Sequence, residues 1–396
     1  MLRDQHIALG ITGSIAAYKA AELASLLTQA GARVDALMTE AATRFITPLT
    51  LRSLTGRPVF IDMYDPRTEL AEEHVEIARR AAAVMVAPAS ATTIARLAQG
   101  TAEDMVSLTV LATQAPVLVA PAMDNQMWEH PATQKNLEIL RERGYTVVGP
   151  AEGRLASGRM GPGRLVETDQ LLGALRQALG RSGDLAGRRV VVSAVGTREP
   201  LDPVRFISNY SSGKMGYALA EAARDRGAAV TLVSTTSALP CPYGVAVAPV
   251  GSVAEMRDAV LSACQGADVL IMAAAVSDYR PTEQASHKVK KGPQKKSLEL
   301  EKTPDFLLEV TGPIVKVGFA AETDDLLVNA QAKLREKKLD LIAANDVTAP
   351  GSGFATDTNQ VTLIDADSVE EVPLLPKYDV AHRILDRVVA LLRERG

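Results

Sequence analysis

Residues 6–31 read HIALGITGSIAAYKAAELASLLTQAG. The hydrophobic period changes once along this stretch. HIALGI is a short apolar run, the pattern of a strand buried on both faces, whereas IAAYKAAELASLLTQAG keeps helical spacing and stops at Gly31. Strand, glycine turn and helix in that order open a βαβ unit, and the pattern recurs. VDALM (34–38), VMVAP (84–88), VLVAP (117–121) and YTVVGP (145–150) read as buried strands, while TTIARLAQG (92–100) and PATQKNLEILRERG (131–144) read as helices that end on Gly. Such alternation predicts a parallel sheet covered by helices on both faces.

The series then begins again. After the polar bridge GRSGDLAGRR (180–189), VVVSAVG is a new first strand and MGYALAEAARDRG a new first helix. AGARVDAL at 30–37 and RGAAVTLV at 226–233 occupy equivalent points, each leading from a helix into a second strand. ADVLIMAAAV, VKVGFAAE, LDLIAAND and NQVTLIDAD continue the second series, which closes on an amphipathic helix from about Tyr378 to Glu394. The predicted fold is therefore α/β, two tandem doubly wound parallel-sheet domains spanning 1–185 and 186–396.

Composition narrows the functional classes. The 396 residues are 47% hydrophobic and 23% charged, with a formal net charge of −4, which gives no global reason to expect nucleic acid or a membrane as partner. No apolar run reaches the length of a membrane span. MLRDQHIALGITGSIAAY has some features of a signal peptide, but Asp4 interrupts its charged part and strand, turn and helix explain it better, so the cytoplasm is the expected compartment. Cys241 and Cys264 fit no C-x-x-C or His-paired spacing, and the first 240 residues contain no thiol, so neither a disulfide framework nor a structural zinc is expected.

Open parallel sheets bind ligands at the carboxyl ends of their strands. The first such end places Gly13 and Ser14 at a helix start, where free N–H groups and the dipole favour an anion. The next supplies Ser90, Thr92 and Thr93, and another places Asp124 and Asn125 beside Met127 and Trp128. A dinucleotide-binding G-x-G-x-x-G is absent. GRLASGRMGPGRL (153–165), broken by Gly and Pro and rich in Arg, reads as a basic loop with Ser157 at its centre.

GSIAAYK, PASATT, PAMDNQMW and LASGRMGPGRL resemble the motifs of flavin-dependent cysteine decarboxylases. GTREPLDPVRFISNYSSGKMG, AAAVSDYRP and VGFAAET are similar to phosphopantothenate–cysteine ligases. In this order they resemble the bifunctional bacterial coenzyme A biosynthesis proteins over essentially the whole chain. The resemblance implies a flavodoxin-like first domain and a Rossmann-like second one. It implies FMN across the first sheet, with the phosphate near Gly13, Ser14 and Ile15, and with Thr39, Ser90, Thr92 and Thr93 close by; the family usually has Asn where Thr92 stands. His74 matches the family's active-site histidine, and Asn125, Met127, Arg159 and Arg164 are implied to meet substrate. The 153–165 loop becomes a clamp over it. The implied reaction oxidises the substrate thiol to a thioaldehyde by hydride transfer to FMN, releases carbon dioxide, then protonates and reduces the enethiolate. The family commonly carries Cys at the position of Ser157 and Asn at that of Asp124. A hydroxyl is a far weaker acid than a thiol of pKa about 8.5, so Asp124, desolvated under the clamp with a raised pKa, is the expected proton donor, directly or through Ser157.

For the second domain the resemblance implies ligation of cysteine to 4′-phosphopantothenate with CTP and Mg²⁺ through an acyl-cytidylate. Ser211, Ser212 and Gly213 precede a helix as an anion cradle. Asn209 matches the residue held against the acyl intermediate, Arg205 one that serves the second half-reaction, and Lys288, in the lysine run HKVKKGPQKK, the catalytic lysine. Ala274, Asp278, the helix start Pro304, Asp305, Phe306 and Leu307, and Phe319 are implied to bind substrate or nucleotide, with Lys333 and Lys337 sharing one helical face toward phosphates. No metal ligands emerge. Flavin-domain trimers and ligase-domain dimers, up to a dodecamer, are implied. An active ligase with a non-catalytic flavin domain serving as assembly scaffold is the second reading, and a nucleotide-dependent oxidoreductase the third, disfavoured by the missing fingerprint.

Overall fold

In the computed structural model, which describes residues 1–64, 72–235, 238–290, 297–322, 325–346, 351, 353 and 356–395, the opening stretch forms strand β1 (His6–Ile11), a turn, and the helix Ala17–Gln29. The chain divides into two units, Met1–Gly180 and Arg181–Gly396.

In the first unit, β1 is followed by β2 (Arg33–Met38), β3 (Val59–Phe60), β4 (Ala83–Ala89), β5 (Val117–Pro121) and β6 (Thr146–Val147). All pair in parallel, in the order β3-β2-β1-β4-β5-β6. The order runs outward from β1 in both directions, so the crevice where neighbouring crossovers diverge opens at the carboxyl ends of β1 and β4. Every residue of β4 is buried, which is why its sequence, AVMVAPA, is apolar throughout. The helices at 91–99 and 131–142 end beside Gly100 and Gly144, both with left-handed φ.

The 153–165 segment differs from the expected loop. It forms a hairpin of β7 (Ala151–Arg154) and β8 (Met160–Arg164), paired antiparallel. Glycine permits the ribbon here. Gly163, at φ 140°, has its hydrogen-bonded carbonyl on the Met123 N–H, and a Cβ there would lie 2.3 Å from the Met123 carbonyl oxygen. Pro162 is tolerated because β8 has a partner on one side only.

The second unit contains β9 (Arg189–Ala194), the pair β10 (Arg198–Pro200) and β11 (Phe206–Ser208), β12 (Ala229–Thr235), β13 (Ala246–Val250), β14 (Val269–Met272), the pair β15 (Tyr279–Pro281) and β16 (Leu300–Lys302), β17 (Val315–Glu322), β18 (Leu341–Asp346), β19 (Thr358–Ile364) and β20 (Val369–Pro376). Its main sheet runs β13-β12-β9-β14-β17-β18-β19-β20. The first six are parallel, and β19 and β20 add an antiparallel edge that the strand–helix alternation does not predict. Alternate residues feed the two faces: Val190, Val192 and Ile271 join the core beneath the helices Lys214–Asp225 and Lys377–Arg395, while Val191 and Leu270 join the opposite one with Met256 and Val260. Each such side chain contributes about 1.5–3 kcal/mol on burial. Among the described residues no helix is long and apolar enough to cross a membrane.

Candidate functional sites at the strand ends

The turn after β1 presents unpaired donors. The Ser14 N–H donates to the Thr12 carbonyl and the Ala16 N–H to Ser14 Oγ (3.3 Å), but the N–H groups of Gly13 and Ile15 meet no acceptor among the described residues. Beside them Thr12 Oγ1 donates to the Pro88 carbonyl and accepts the Ser90 N–H, tying the ends of β1 and β4 together. Ser90 caps the helix Ala91–Gln99 through the Thr93 N–H, and its hydroxyl lies 3.1 Å from that of Thr93; Thr92 points outward. Thr39, buried at the end of β2, caps a 3₁₀ turn through the Ala42 N–H. His74 is half-buried on the helix Glu73–Arg80, and no hydrogen bond joins it to these groups among the described residues.

At the end of β5 the hairpin closes over Asp124 and Asn125. Ser157, exposed at the hairpin tip, donates its hydroxyl to Asp124 Oδ2 at 2.8 Å. Asp124 Oδ1 accepts the Gln126 N–H, capping the helix Asn125–Glu129, and Arg159 lies 4.0 Å away. The expectation of a raised pKa at Asp124 is therefore corrected: the Ser157 hydroxyl, the Gln126 amide and the Arg159 charge hold its carboxyl below the usual range. The Asn125 Oδ1 is buried with no hydrogen-bond partner, a polar atom that a bound ligand would satisfy. Met127 is exposed, and Arg164 pairs with Glu167, which also accepts from the buried Lys19. Free N–H donors, clustered hydroxyls and an orphaned amide oxygen ready to accept are a set of polar groups that fits FMN.

In the second unit a cleft of about 840 Å³ lies at the carboxyl edge of the sheet. It brings together Asn209, Ser211, Ser212, Gly213, Ala274, Asp278, Pro304, Asp305, Phe306, Leu307, Phe319, Lys333 and Lys337. Gly213, at φ 80°, cannot be otherwise, since a Cβ would lie 2.5 Å from Val195 Cγ2, and Val195 itself holds φ 70°. Asn209 Nδ2 donates to the Ala275 carbonyl (3.1 Å), Lys333 Nζ to the Phe319 carbonyl (2.9 Å), and Lys337 pairs with Asp305 (3.1 Å). The helix expected from Pro304 is a single 3₁₀ turn, Leu307–Glu309, with Asp305 accepting the Leu307 N–H at its start and Gly312, at φ 110°, followed by Pro313 just beyond its end. Arg205 and Lys288 do not line the cleft, and residues 291–296 of the lysine run lie outside the described residues.

The cleft contains polar residues that motif reading missed. Asn345, 8% exposed at the end of β18, has a carboxamide with no partner among the described residues. Lys214 pairs with Asp357 (2.6 Å), and the buried Lys377 donates to the carbonyls of Gly353, Thr356 and Thr358, burial lowering its pKa. A signal for Lys377 exists in hindsight: a lysine opens a helix there, at the positive end of the dipole.

Fold and strand-end sites define a tandem α/β flavoprotein. A family model described as Flavoprotein matches residues 1–180, and one described as DNA/pantothenate metabolism flavoprotein C-terminal domain matches 185–392. The chain is 44% identical over 403 residues to the coenzyme A biosynthesis bifunctional protein CoaBC of Bacillus subtilis (strain 168), and 43% identical over 403 residues to that of Escherichia coli (strain K12), in each case across 100% of this chain and 99% of the relative. The crystal structure of the C-terminal domain of a CoaBC protein aligns with 54% of this chain and 100% of its own, at 41% identity and a TM-score of 0.46. The chain belongs to the family of bifunctional coenzyme A biosynthesis proteins.

Proposed function

We propose that the chain carries out two consecutive steps of coenzyme A biosynthesis: CTP-dependent ligation of cysteine to 4′-phosphopantothenate in the second unit, then FMN-dependent decarboxylation of the product to 4′-phosphopantetheine in the first. What carries the reading is similarity to the bifunctional relatives that extends across the whole chain, both units included.

In the ligase, a carboxylate must become a better electrophile before an amine can displace its oxygen. The substrate carboxylate attacks the α-phosphorus of CTP, forming the acyl-cytidylate and releasing pyrophosphate; the cysteine amine then attacks the acyl carbon and CMP leaves. Lys333 and Lys337, with the N–H groups that follow Gly213, offer the positive charge that this phosphate chemistry needs. Asn209 orients the acyl group. Mg²⁺ belongs to the reading as the counter-ion carried by CTP, since among the described residues no cluster of three His, Cys, Asp or Glu stands ready to hold it.

Bound FMN supplies the hydride chemistry of the decarboxylase. Gly13, Ile15, Ser90 and Thr39 hold its polar groups. Asn125, Arg159 and Arg164 orient substrate under the hairpin. The exposed Ser157 hydroxyl gives its own hydrogen to Asp124 and is fixed by it, so its oxygen accepts from a water, and that water delivers the proton to the enethiolate. The enzyme works in the cytoplasm as a homo-oligomer, the flavin units as trimers and the ligase units as dimers.

The test is to incubate the chain with 4′-phosphopantothenate, cysteine and CTP and to follow pyrophosphate, carbon dioxide and 4′-phosphopantetheine. All three are expected. ADP release from ATP with none from CTP would overturn the nucleotide. Pyrophosphate without carbon dioxide would favour the scaffold reading, for which the Ser157 and Asp124 replacements are the specific observation.

A further inference from the structure

We propose that Asp202 is a positioning residue of the ligase unit, the group through which Arg205 and the base of the Lys288 segment are fastened to one another. The inference rests on the ligase reading, in which Arg205 and Lys288 both serve the reaction. Neither lines the cleft, so something outside it must bring them into one frame.

The Asp202 side chain is 0% exposed. Its Oδ1 accepts the N–H groups of Val204 (2.8 Å) and Arg205 (2.9 Å), an Asx turn that shapes the PVR corner. An Asn or Ser would do that equally well. The second oxygen does something a turn does not require. Oδ2 accepts Nε and Nη2 of Arg205 (2.9 and 2.5 Å) and, 87 positions on, the backbone N–H of Val289 (3.2 Å). Arg205 closes the ring from the other side, its Nη2 donating to the Val289 carbonyl at 2.9 Å. A further pair of bonds runs parallel: the Ala285 N–H donates to the Leu201 carbonyl (3.0 Å), and the Leu201 N–H to that of Arg205 (2.8 Å). The residue next to Lys288 is thus held at its N–H and its carbonyl by one ion pair, while Lys288 itself stays exposed.

The charge persists under all working conditions, because Arg205 first and then the three backbone amides hold the carboxyl far below the usual range. A buried carboxylate with donors arranged around both oxygens fixes direction as well as distance. Arg205, half-exposed and long, would otherwise sample many rotamers. Asp202 therefore gives the guanidinium and the lysine segment a common anchor.

Asp202→Asn in the full chain tests this. The variant keeps the turn acceptor and replaces Oδ2 by an NH₂, which cannot accept from Val289 and faces the guanidinium. We expect the single-turnover rate of pyrophosphate release without cysteine, and kcat for complete ligation, each to fall by at least about tenfold. KM for CTP and 4′-phosphopantothenate should stay within about threefold, because the cleft is built from other residues. Adding Arg205→Ala to Asp202→Asn should slow ligation no further than Arg205→Ala alone. Amide exchange over 285–290 should quicken in Asp202→Asn and in Arg205→Ala, with the helix Lys214–Asp225 unchanged. Wild-type kcat in a folded Asp202→Asn, additive losses in the double variant, or unaltered exchange over 285–290 would each overturn the assignment. Should Asp202→Asn not fold, Arg205→Ala carries the exchange test alone. A wild-type chain that releases no pyrophosphate from CTP defeats the ligase reading and leaves the exchange result standing.

Discussion

Each unit fastens a segment outside its main sheet with an aspartate, and the two aspartates live in different surroundings. Asp124, 28% exposed, caps a short helix with one oxygen and accepts a single hydroxyl from the hairpin tip with the other. Asp202, fully inside, accepts from one guanidinium and three amides, one of them remote. Water competes for the first bond and not for the second, so the exposed latch can be exchanged with little harm while the buried one sets geometry.

Three substitutions in the first unit break or sharpen that contrast. The largest effect is expected where the hairpin, rather than its tip, is anchored. Gly163→Ala places a methyl against the Met123 carbonyl at a backbone angle that L-residues avoid, and should lower decarboxylation by about a hundredfold through misplacement of the clamp. CTP-dependent ligation by the same preparation should be unchanged; equal loss of both would show damage reaching beyond the hairpin. Next in size is Ser157→Cys. A thiol is a far better acid than a hydroxyl, so the final reduction, followed as reoxidation of the flavin in single turnover, should speed up by about tenfold. No gain would place proton delivery elsewhere.

Asp124→Asn should have the smallest effect. Its carboxyl is held below the usual range and serves as an acceptor, a role an amide oxygen keeps, so turnover should remain within about threefold of wild type. The pH dependence has a definite sign. Because the folded pKa is lowered, the acceptor is intact above the ordinary carboxylate value and is lost only as pH falls through the lower folded value. Exchange protection of the hairpin tip should therefore be flat from pH 5 to 8. A protonation step in that window, absent in Asp124→Asn, would restore Asp124 as the acid.

The sheets were legible where one physical signal dominated. Apolar runs at β1, β4 and β5, helix stops at Gly100 and Gly144, and the restart near Val190 are local features. The hairpin was not, because the glycines and proline that usually break a strand are here what lets the ribbon approach Met123. The antiparallel edge of β19 and β20 was hidden by its own pattern, VEEVPLLP, which has no uniform burial. Motifs identified thirteen residues of the cleft lining, but Asn345 reaches it through sheet pairing, which no local spacing encodes, and Lys377 only through where its helix is placed. Asp202 is the clearest case: its turn is readable from LDPVR, its hold on Val289 is not.

The apex of the hairpin has a consequence for oxidative wear. With Ser157 there, and no cysteine before Cys241, the first unit offers peroxide no thiolate to convert to sulfenic or sulfinic acid. It likewise cannot trap its thiol substrate as a mixed disulfide. The sulfur exposed beside the tip is that of Met160, whose sulfoxide is enzymatically reversible. A lid of this kind gives up acid strength and in exchange keeps working under conditions that would inactivate a cysteine in the same place.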